Sequence, residues 1–407
     1  MIKRKNLITV LDIGSTKITC FIAKRSFAQD CEILGTAQVA SKGIRAGMVI
    51  DLEAAREAII KVVEMAEDMA SENIKNVYVS LNSSFLISER SSVDLPLANQ
   101  EINIKDMNKI LLKALEKYGG EAVDVIHTLP YEYILDGNKG IIQPLGLYGS
   151  KITGTFHIVC VPVNYVVNIA KCLEKCKLKV DGYVSSGYAA GLTCLKSDEM
   201  EFGCALIEMS GDSSTVSVFL NDTVIFTDGI PYGGIHITKD IAKVLNLGIS
   251  TAEKIKNIYG SVIENNGIIE HVIKIEQSSE QEEEYRLNKS ELTAIISART
   301  DEIISLLKNR LQEHDMMEYV NKLIITGGCS QLLGVKELAE KIFKVKARIG
   351  LPLNQEGVPQ EYLMAKFCVP IGMLKYIGHG KESHYKNLLA DKPSVLKRSW
   401  KWLKENF

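Results

Sequence analysis

The sequence predicts an α/β protein of two pseudo-repeated domains that face each other across a cleft. Three observations predict it. A strand–turn–strand segment rich in phosphate-type groups lies near the N-terminus, a second segment of the same layout lies about half a chain later, and two Gly-Gly pairs stand at a predicted helix start and a predicted strand end.

Leu7-Ile-Thr-Val-Leu-Asp-Ile-Gly-Ser-Thr-Lys-Ile-Thr-Cys-Phe-Ile-Ala23 reads as a buried strand, a tight polar turn and a second strand. Its turn, Gly14-Ser15-Thr16-Lys17, offers backbone N–H groups, two hydroxyls and an ammonium, a set that suits a phosphate. Asp12, at the mouth of the strand, is placed to hold a hydrated Mg²⁺ or to orient an attacking water. One such segment alone also reads as a plain hairpin. Ala205-Leu-Ile-Glu-Met-Ser-Gly-Asp-Ser-Ser-Thr-Val-Ser-Val-Phe219 repeats the layout, with Glu208 in the place of Asp12 and Ser210, Gly211, Asp212 and Ser213 in the turn. Two copies predict one nucleotide clamped between paired hairpins.

Ile230-Pro-Tyr-Gly-Gly-Ile-His-Ile-Thr-Lys-Asp-Ile-Ala242 puts Gly233 and Gly234 before a helix that carries His236. Leu323-Ile-Ile-Thr-Gly-Gly-Cys-Ser-Gln-Leu-Leu-Gly334 puts Gly327 and Gly328, then Ser330, directly after a strand. Glycine pairs there let a base or ribose approach the backbone where a Cβ would clash. Thr251-Ala-Glu-Lys-Ile-Lys256 supplies Glu253 and Lys256 at helical spacing, suited to ribose hydroxyls and a base edge.

The composition fits this reading. The chain has 407 residues, 46% hydrophobic and 24% charged, too long for one small core. A formal net charge of -2 argues against nucleic acid as a partner. Nine cysteines scattered through apolar runs match no zinc spacing, and Cys172 and Cys176, one helical turn apart, read as packing residues. The run Leu7–Leu11 is too short for a signal peptide and no long apolar stretch exists, so a cytoplasmic protein is expected.

These segments together resemble the superfamily of actin, sugar kinases and DnaK-type chaperones. Within it the chain is similar, along nearly its whole length, to the bacterial FtsA cell-division family. The most discriminating stretches are Val125-Ile-His-Thr-Leu-Pro-Tyr-Glu-Tyr-Ile-Leu-Asp-Gly137, Gly140-Ile-Ile-Gln-Pro-Leu-Gly-Leu-Tyr-Gly149 and Phe156-His-Ile-Val159, which look like the small subdomain that FtsA inserts into its first half. The resemblance implies an actin-like fold around a nucleotide cleft, with ATP and Mg²⁺ as cofactors. Its implied divisions are a first subdomain (1–83 and 163–190), the insert (84–162), a second subdomain (191–234 and 300–377), a small subdomain (235–299), a linker (378–393) and a terminal helix (394–407). It also implies polymerisation with other copies of the chain, contact with other division proteins, and binding of the C-terminal peptide of the tubulin-like FtsZ by the small subdomain. The family's Pro-Arg there appears as Ala298-Arg299, which makes Arg299 the candidate partner of an acidic peptide.

The second hairpin departs from the superfamily pattern Asp-x-Gly-Gly-Gly-Thr. Only Gly211 remains of its glycines, and Asp212 adds a negative charge where phosphates would lie. Weak or unusual ATP binding and slow hydrolysis are expected. Asp212 turned outward, or compensated by Mg²⁺, would remove that expectation.

The chain ends in Ser394-Val-Leu-Lys-Arg-Ser-Trp-Lys-Trp-Leu-Lys-Glu-Asn-Phe407. Leu396, Trp400, Leu403 and Phe407 share one helical face, while Lys397, Arg398, Lys401 and Lys404 take the flanks and the opposite side. At about 20 Å the segment is too short to span a bilayer. Its pattern fits a helix lying in an anionic membrane surface, or an amphipathic helix docked on the chain's own core. The family resemblance favours the first, with the protein peripheral on the cytoplasmic face of the membrane at the division site. A sugar or acid kinase and a pilus-assembly homologue are the alternatives; neither explains this tail.

Overall fold

A computed structural model describes residues 7–25, 31–81, 85–118, 122–263, 272–275, 285–353 and 357–378. The acidic run Glu276–Glu284 and the tail beyond Gly378, with Leu396, Lys397, Arg398, Trp400, Lys401, Leu403, Lys404 and Phe407, lie outside the described residues.

The first half opens with three antiparallel strands, β1 (Leu7–Ile13), β2 (Lys17–Arg25) and β3 (Cys31–Ala40), and a two-residue hairpin, β4 (Ile44–Arg45) and β5 (Met48–Val49). Helix α1 (Leu52–Ala70) starts at Asp51, whose carboxylate accepts from the Glu53 and Ala54 amides at 3.1 Å. Its Ala55, Ile59, Val62, Val63 and Ala66 are buried on one face, as helical spacing requires. The chain then enters β6 (Asn76–Leu81), parallel to β1.

The insert follows: β7 (Ile87–Glu101), α2 (Ile104–Ala114), β8 (Val123–Leu135), β9 (Asn138–Ile141) and β10 (Tyr148–Pro162). Its antiparallel sheet, in the order β7-β10-β8-β9, packs Ile152, Phe156 and Ile158 against Ile110 and Leu111 of α2. Helix α3 (Val163–Lys175) leads into β11 (Lys179–Ser185), which completes the first sheet as β11-β6-β1-β2-β3.

Helices α4 (Ser186–Cys194) and α5 (Ser197–Phe202) lead to the second half. There β12 (Cys204–Met209), β13 (Ser214–Leu220) and β14 (Thr223–Ile230) form an antiparallel run, followed by α6 (Gly234–Val244) and α7 (Ile249–Tyr259). After β15 (Val272–Ile275), β16 (Tyr285–Asn288) and the long α8 (Lys289–Glu313) come β17 (Leu323–Thr326), α9 (Val335–Phe343), β18 (Ala347–Ile349) and α10 (Cys368–Gly378). The second sheet runs β14-β13-β12-β17-β18. Both five-stranded sheets thus have one plan: an antiparallel run of three joined to a parallel run of three through the strand whose penultimate residue is an acid. The repeat predicted from two hairpins extends to whole domains.

A shared core joins the halves. Val10 and Phe21 of the first sheet and Leu206, Phe219 and Ile324 of the second close on α4 and α10. α4 is buried nearly all round, which is why its sequence is apolar or small at almost every position. Gly372 of α10 lies so near Ala189 of α4 that a Cβ would come 1.7 Å from its carbonyl oxygen, so only glycine fits this crossing.

The insert leaves the first half but fastens to the second. His157 Nδ1 donates to the Val224 carbonyl of β14 at 2.9 Å, and Ser88 Oγ accepts from the Thr227 amide at 3.1 Å while bonded to His157 Nε2 at 2.7 Å. Two side chains therefore satisfy backbone groups on an edge strand that would otherwise be a pairing hazard. Burial pushes His157 down to about 4, so it stays neutral there at physiological pH.

Candidate functional site

The two predicted hairpins occupy equivalent places, residue for residue. Asp12 pairs with Thr19 and Glu208 with Thr215, each one position before the last pair, Ile13–Ile18 and Met209–Ser214. The turn Gly14-Ser15-Thr16-Lys17 therefore matches Ser210-Gly211-Asp212-Ser213. Each is closed by one bond, Gly14 N–H to the Lys17 carbonyl at 3.0 Å and Ser210 N–H to the Ser213 carbonyl at 3.1 Å. The turns touch: a Cβ on Gly211 would lie 2.4 Å from Thr16 Cγ2, so the surviving glycine is the one that lets the hairpins meet.

Between the halves lies a cleft of about 1430 Å³. Asp12, Gly14, Ser15, Thr16, Lys17, Glu208, Ser210, Gly211, Asp212, Ser213, Gly234, His236, Glu253, Lys256, Gly327 and Gly328 all line it, so sixteen of the residues nominated by sequence converge on one site. Gly233 and Ser330 do not. A Cβ on Gly233 would meet the Ser210 carbonyl at 2.6 Å, and Ser330 is buried and donates to the Gly327 carbonyl at 2.7 Å. Both hold the wall from behind. The second glycine pair splits its work: Gly327, at φ 89°, packs on the Met209 backbone, whereas a Cβ on Gly328 would meet nothing within 4 Å and its face is open to a flat ligand.

The acids are set differently. Asp12 Oδ1 accepts from Ser80 Oγ at 2.7 Å; burial raises it, and Ser80 and the Lys17 ammonium oppose the rise. Glu208 is 2% exposed and accepts from Ser210, from Ser186 at 3.1 Å and from Thr215 at 3.4 Å. Burial, reinforced by the Asp12 charge, pushes Glu208 up to about 7 against those hydroxyl bonds. Lys17 is lowered by burial and held up by Asp12 and Glu208.

Stability should therefore depend on Glu208. Its folded pKa lies above the unfolded value, so the folded state binds more protons between about pH 4.5 and 7, and stability falls as pH rises through that window. Glu208→Gln is expected to flatten the fall by up to about 3 kcal/mol and to be the more stable form at pH 8. Urea midpoints of both proteins at pH 5 and pH 8 check this.

On the other wall, the Lys256 ammonium is buried and all three of its protons are used, by the Gly234 carbonyl at 3.1 Å, Thr238 Oγ1 at 2.8 Å and Glu253 at 2.7 Å. It ties α6 to α7 and orients Glu253. Burial alone would raise Glu253, but its bonds to Lys256 and Thr238 bring it below the usual carboxylate range, so it presents a charged acceptor for hydroxyls. His236 accepts from the Gly233 amide at Nδ1, 3.1 Å away, and burial lowers it; neutral with Nε2 protonated, it is a donor at the cleft.

Arg299 lies away from this cleft. It donates to both oxygens of Asp240 on α6, at 3.1 Å for Nη2, and to Glu302, and those partners raise its guanidinium further. A peptide carboxylate there would share Arg299 with Asp240.

Sequence reasoning overlooked Arg45, Ala46, Gly47, Lys239, Gln331 and Lys366, which also line the cleft. Lys239 was findable, three residues after His236 on one helical face. The turn Arg45-Ala46-Gly47 was not: Gly47 donates to Ser15 Oγ at 3.3 Å, and the Ala46 amide donates to Asp212 across the cleft.

Among the described residues no group of three or more His, Cys, Asp or Glu could hold a metal by itself. Asp12 and Glu208, whose charges interact across the cleft, fit a cation that takes its other ligands from water and phosphate. No helix among the described residues is long and apolar enough to cross a membrane.

Comparison with known proteins accords with this geometry. The family model "Cell division protein FtsA" matches residues 205–368, and "SHS2 domain inserted in FTSA" matches 84–160. The chain is 32% identical to the cell division protein FtsA of Agrobacterium fabrum over 100% of this chain and 96% of that protein. It is 27% identical to the FtsA of Pseudomonas aeruginosa over 98% of each. Among solved structures, one from a PilM–PilN type IV pilus biogenesis complex aligns with a TM-score of 0.63 at 16% identity, over 91% of this chain and 98% of that one. MreB5 of Spiroplasma citri bound to ADP aligns with a TM-score of 0.51 at 13% identity, over 94% and 98%. These likenesses establish the actin-like fold, and the full-length relatives decide between the pilus-type and kinase alternatives and this one. The chain belongs to the FtsA family of cell-division proteins.

Proposed function

We propose that this chain is an ATP-binding adaptor that polymerises and tethers the FtsZ ring to the inner face of the cytoplasmic membrane. The observation that carries the nucleotide part is the pair of equivalent hairpins meeting at one cleft, with Gly328 open on the opposite wall. The amides of Ser15, Thr16, Gly211 and Asp212 make no hydrogen bond among the described residues and are free for phosphate oxygens. Asp12 and Glu208 would hold Mg²⁺ through water, and the ion would neutralise the phosphate charge. Lys17 supplies a further positive charge to the phosphates, Glu253 accepts from the ribose, and His236 and Gly328 face the base side. Glu208, partly protonated near neutrality and buried among hydroxyls, is a poor partner for fast hydrolysis. Turnover is slow in this reading, and the nucleotide serves as a wedge between domains.

The subdomain limits, the small subdomain at 235–299 as the FtsZ-peptide site, Arg299 as its acid-reading residue, the linker at 378–393 and the membrane helix at 394–407 belong to the same proposal. They rest on the family and on the residues quoted above. Calorimetric titration with MgATP tests the nucleotide part: one ATP per chain is expected, and no heat of binding at millimolar ATP would refute it.

A further inference from the structure

The end of the first sheet opposite the cleft has its own chemistry. β1, β6 and β11 are parallel and all begin there, and β2, antiparallel to β1, ends there, with Leu7 opposite Lys24. This register brings Lys24 and Arg25 at the end of β2, Lys75 before β6, and Lys177 and Lys179 at the start of β11 to one end of the domain, all exposed. Lys24, Lys75, Lys177 and Lys179 form no ion pair among the described residues. Acids beside them offset part of this charge: Glu32 is the cross-strand partner of Lys24, Glu67 accepts from the Ile74 amide next to Lys75 at 2.6 Å, Glu72 is half-buried, and Asp181 accepts from Asn76 Nδ2 at 2.7 Å.

The chain leaves its body at the same end. α10 starts against the cleft, where Val369 lines the wall, and runs about 15 Å to Gly378, whose carbonyl accepts from Arg25 Nη2. In the proposed function the polar residues that follow, to Pro393, are the tether of the membrane helix, so the tether starts from this end of the body.

We propose that this basic end is a second membrane contact, an electrostatic one made by the folded body with anionic lipid headgroups, which turns the nucleotide cleft away from the bilayer. The inference rests on the membrane reading of the tail. Each lysine near an anionic leaflet strengthens partition about fivefold, too little to anchor the body without the helix but enough to orient it.

The test uses the full chain and vesicles of phosphatidylglycerol with phosphatidylcholine, against phosphatidylcholine alone. Lys24→Gln, Lys75→Gln and Lys179→Gln together are expected to lower partition onto anionic vesicles at least about tenfold. The effect should vanish on neutral vesicles and close in about 0.5 M salt. Unchanged ATP binding by the triple variant shows that its fold is intact. Equal partition of wild type and triple variant on anionic vesicles, with Trp400→Glu detached, overturns the body contact while leaving the tail reading intact. If Trp400→Glu stays bound, the tail reading fails instead, and the triple variant alone decides the body contact. Unchanged vesicle binding with lost retention on DNA would assign the face to nucleic acid and overturn the proposal.

Discussion

Asp212→Asn is expected to tighten ATP binding about tenfold or more. Asp212 stands in the turn of the second hairpin, at the place that Thr16 occupies in the first. It is 9% exposed, and its Oδ2 accepts from the Ala46 amide on the opposite half. It does not turn outward: it lines the cleft and reaches across to the turn at Ala46, beside the hairpins that would cradle phosphates. Two negative charges about 4 Å apart repel by about 4 kcal/mol at an effective dielectric near 20, and in a cleft open to water and salt only part of that survives. Tenfold corresponds to about 1.4 kcal/mol, well inside that range. Asparagine keeps an oxygen for the Ala46 N–H and removes the charge; Asp212→Gly removes both. Comparing the two separates repulsion from the cross-cleft bond. Calorimetry that finds the asparagine variant no tighter than wild type would remove repulsion as the cause of weak binding.

Trp400→Glu is expected to release the protein from anionic vesicles by about two orders of magnitude and to leave FtsZ-peptide binding unchanged. Burying a large aromatic side chain at an interface is worth about 2 to 3 kcal/mol, and the carboxylate adds repulsion from the lipid. A single tail should bind reversibly, because ordering the helix opposes its burial. Polymerisation presents many tails together, and avidity then makes attachment firm only for the assembled protein. Co-sedimentation with vesicles, beside peptide binding measured on the same preparation, checks both halves. Loss of both activities would place the helix on the protein's own core.

The parts of this fold legible in the sequence were those set by local chemistry. Both hairpins showed because a buried strand, an acid and a Gly/Ser turn lie within a few residues, and their equivalence in register follows from equal spacing of the acid and the turn. The helix start at Gly234 and the strand end at Thr326 were readable for the same reason. What stayed hidden depends on contacts between distant positions. Nothing near Ala46 announces that its amide will meet a carboxylate 166 residues away, and nothing near Lys366 announces that the turn before α10 will bring it to the cleft. Glycines misled in one respect: Gly233 behind the wall and Gly327 on it are required by backbone packing, and of the two pairs only Gly328 has open space where a Cβ would stand. Lys256 has the spacing of a ligand-binding lysine, yet its protons are consumed within the protein.

Recruitment of FtsZ to vesicles joins the membrane and partner roles in one measurement. Labelled FtsZ, anionic vesicles, MgATP and the full chain are mixed, and FtsZ is counted on the lipid. Wild type is predicted to bring FtsZ to the vesicle surface, Trp400→Glu to leave it in solution, and FtsZ lacking its C-terminal peptide to stay unbound in either case. Wild-type protein that coats the vesicles and gathers no FtsZ would contradict the account.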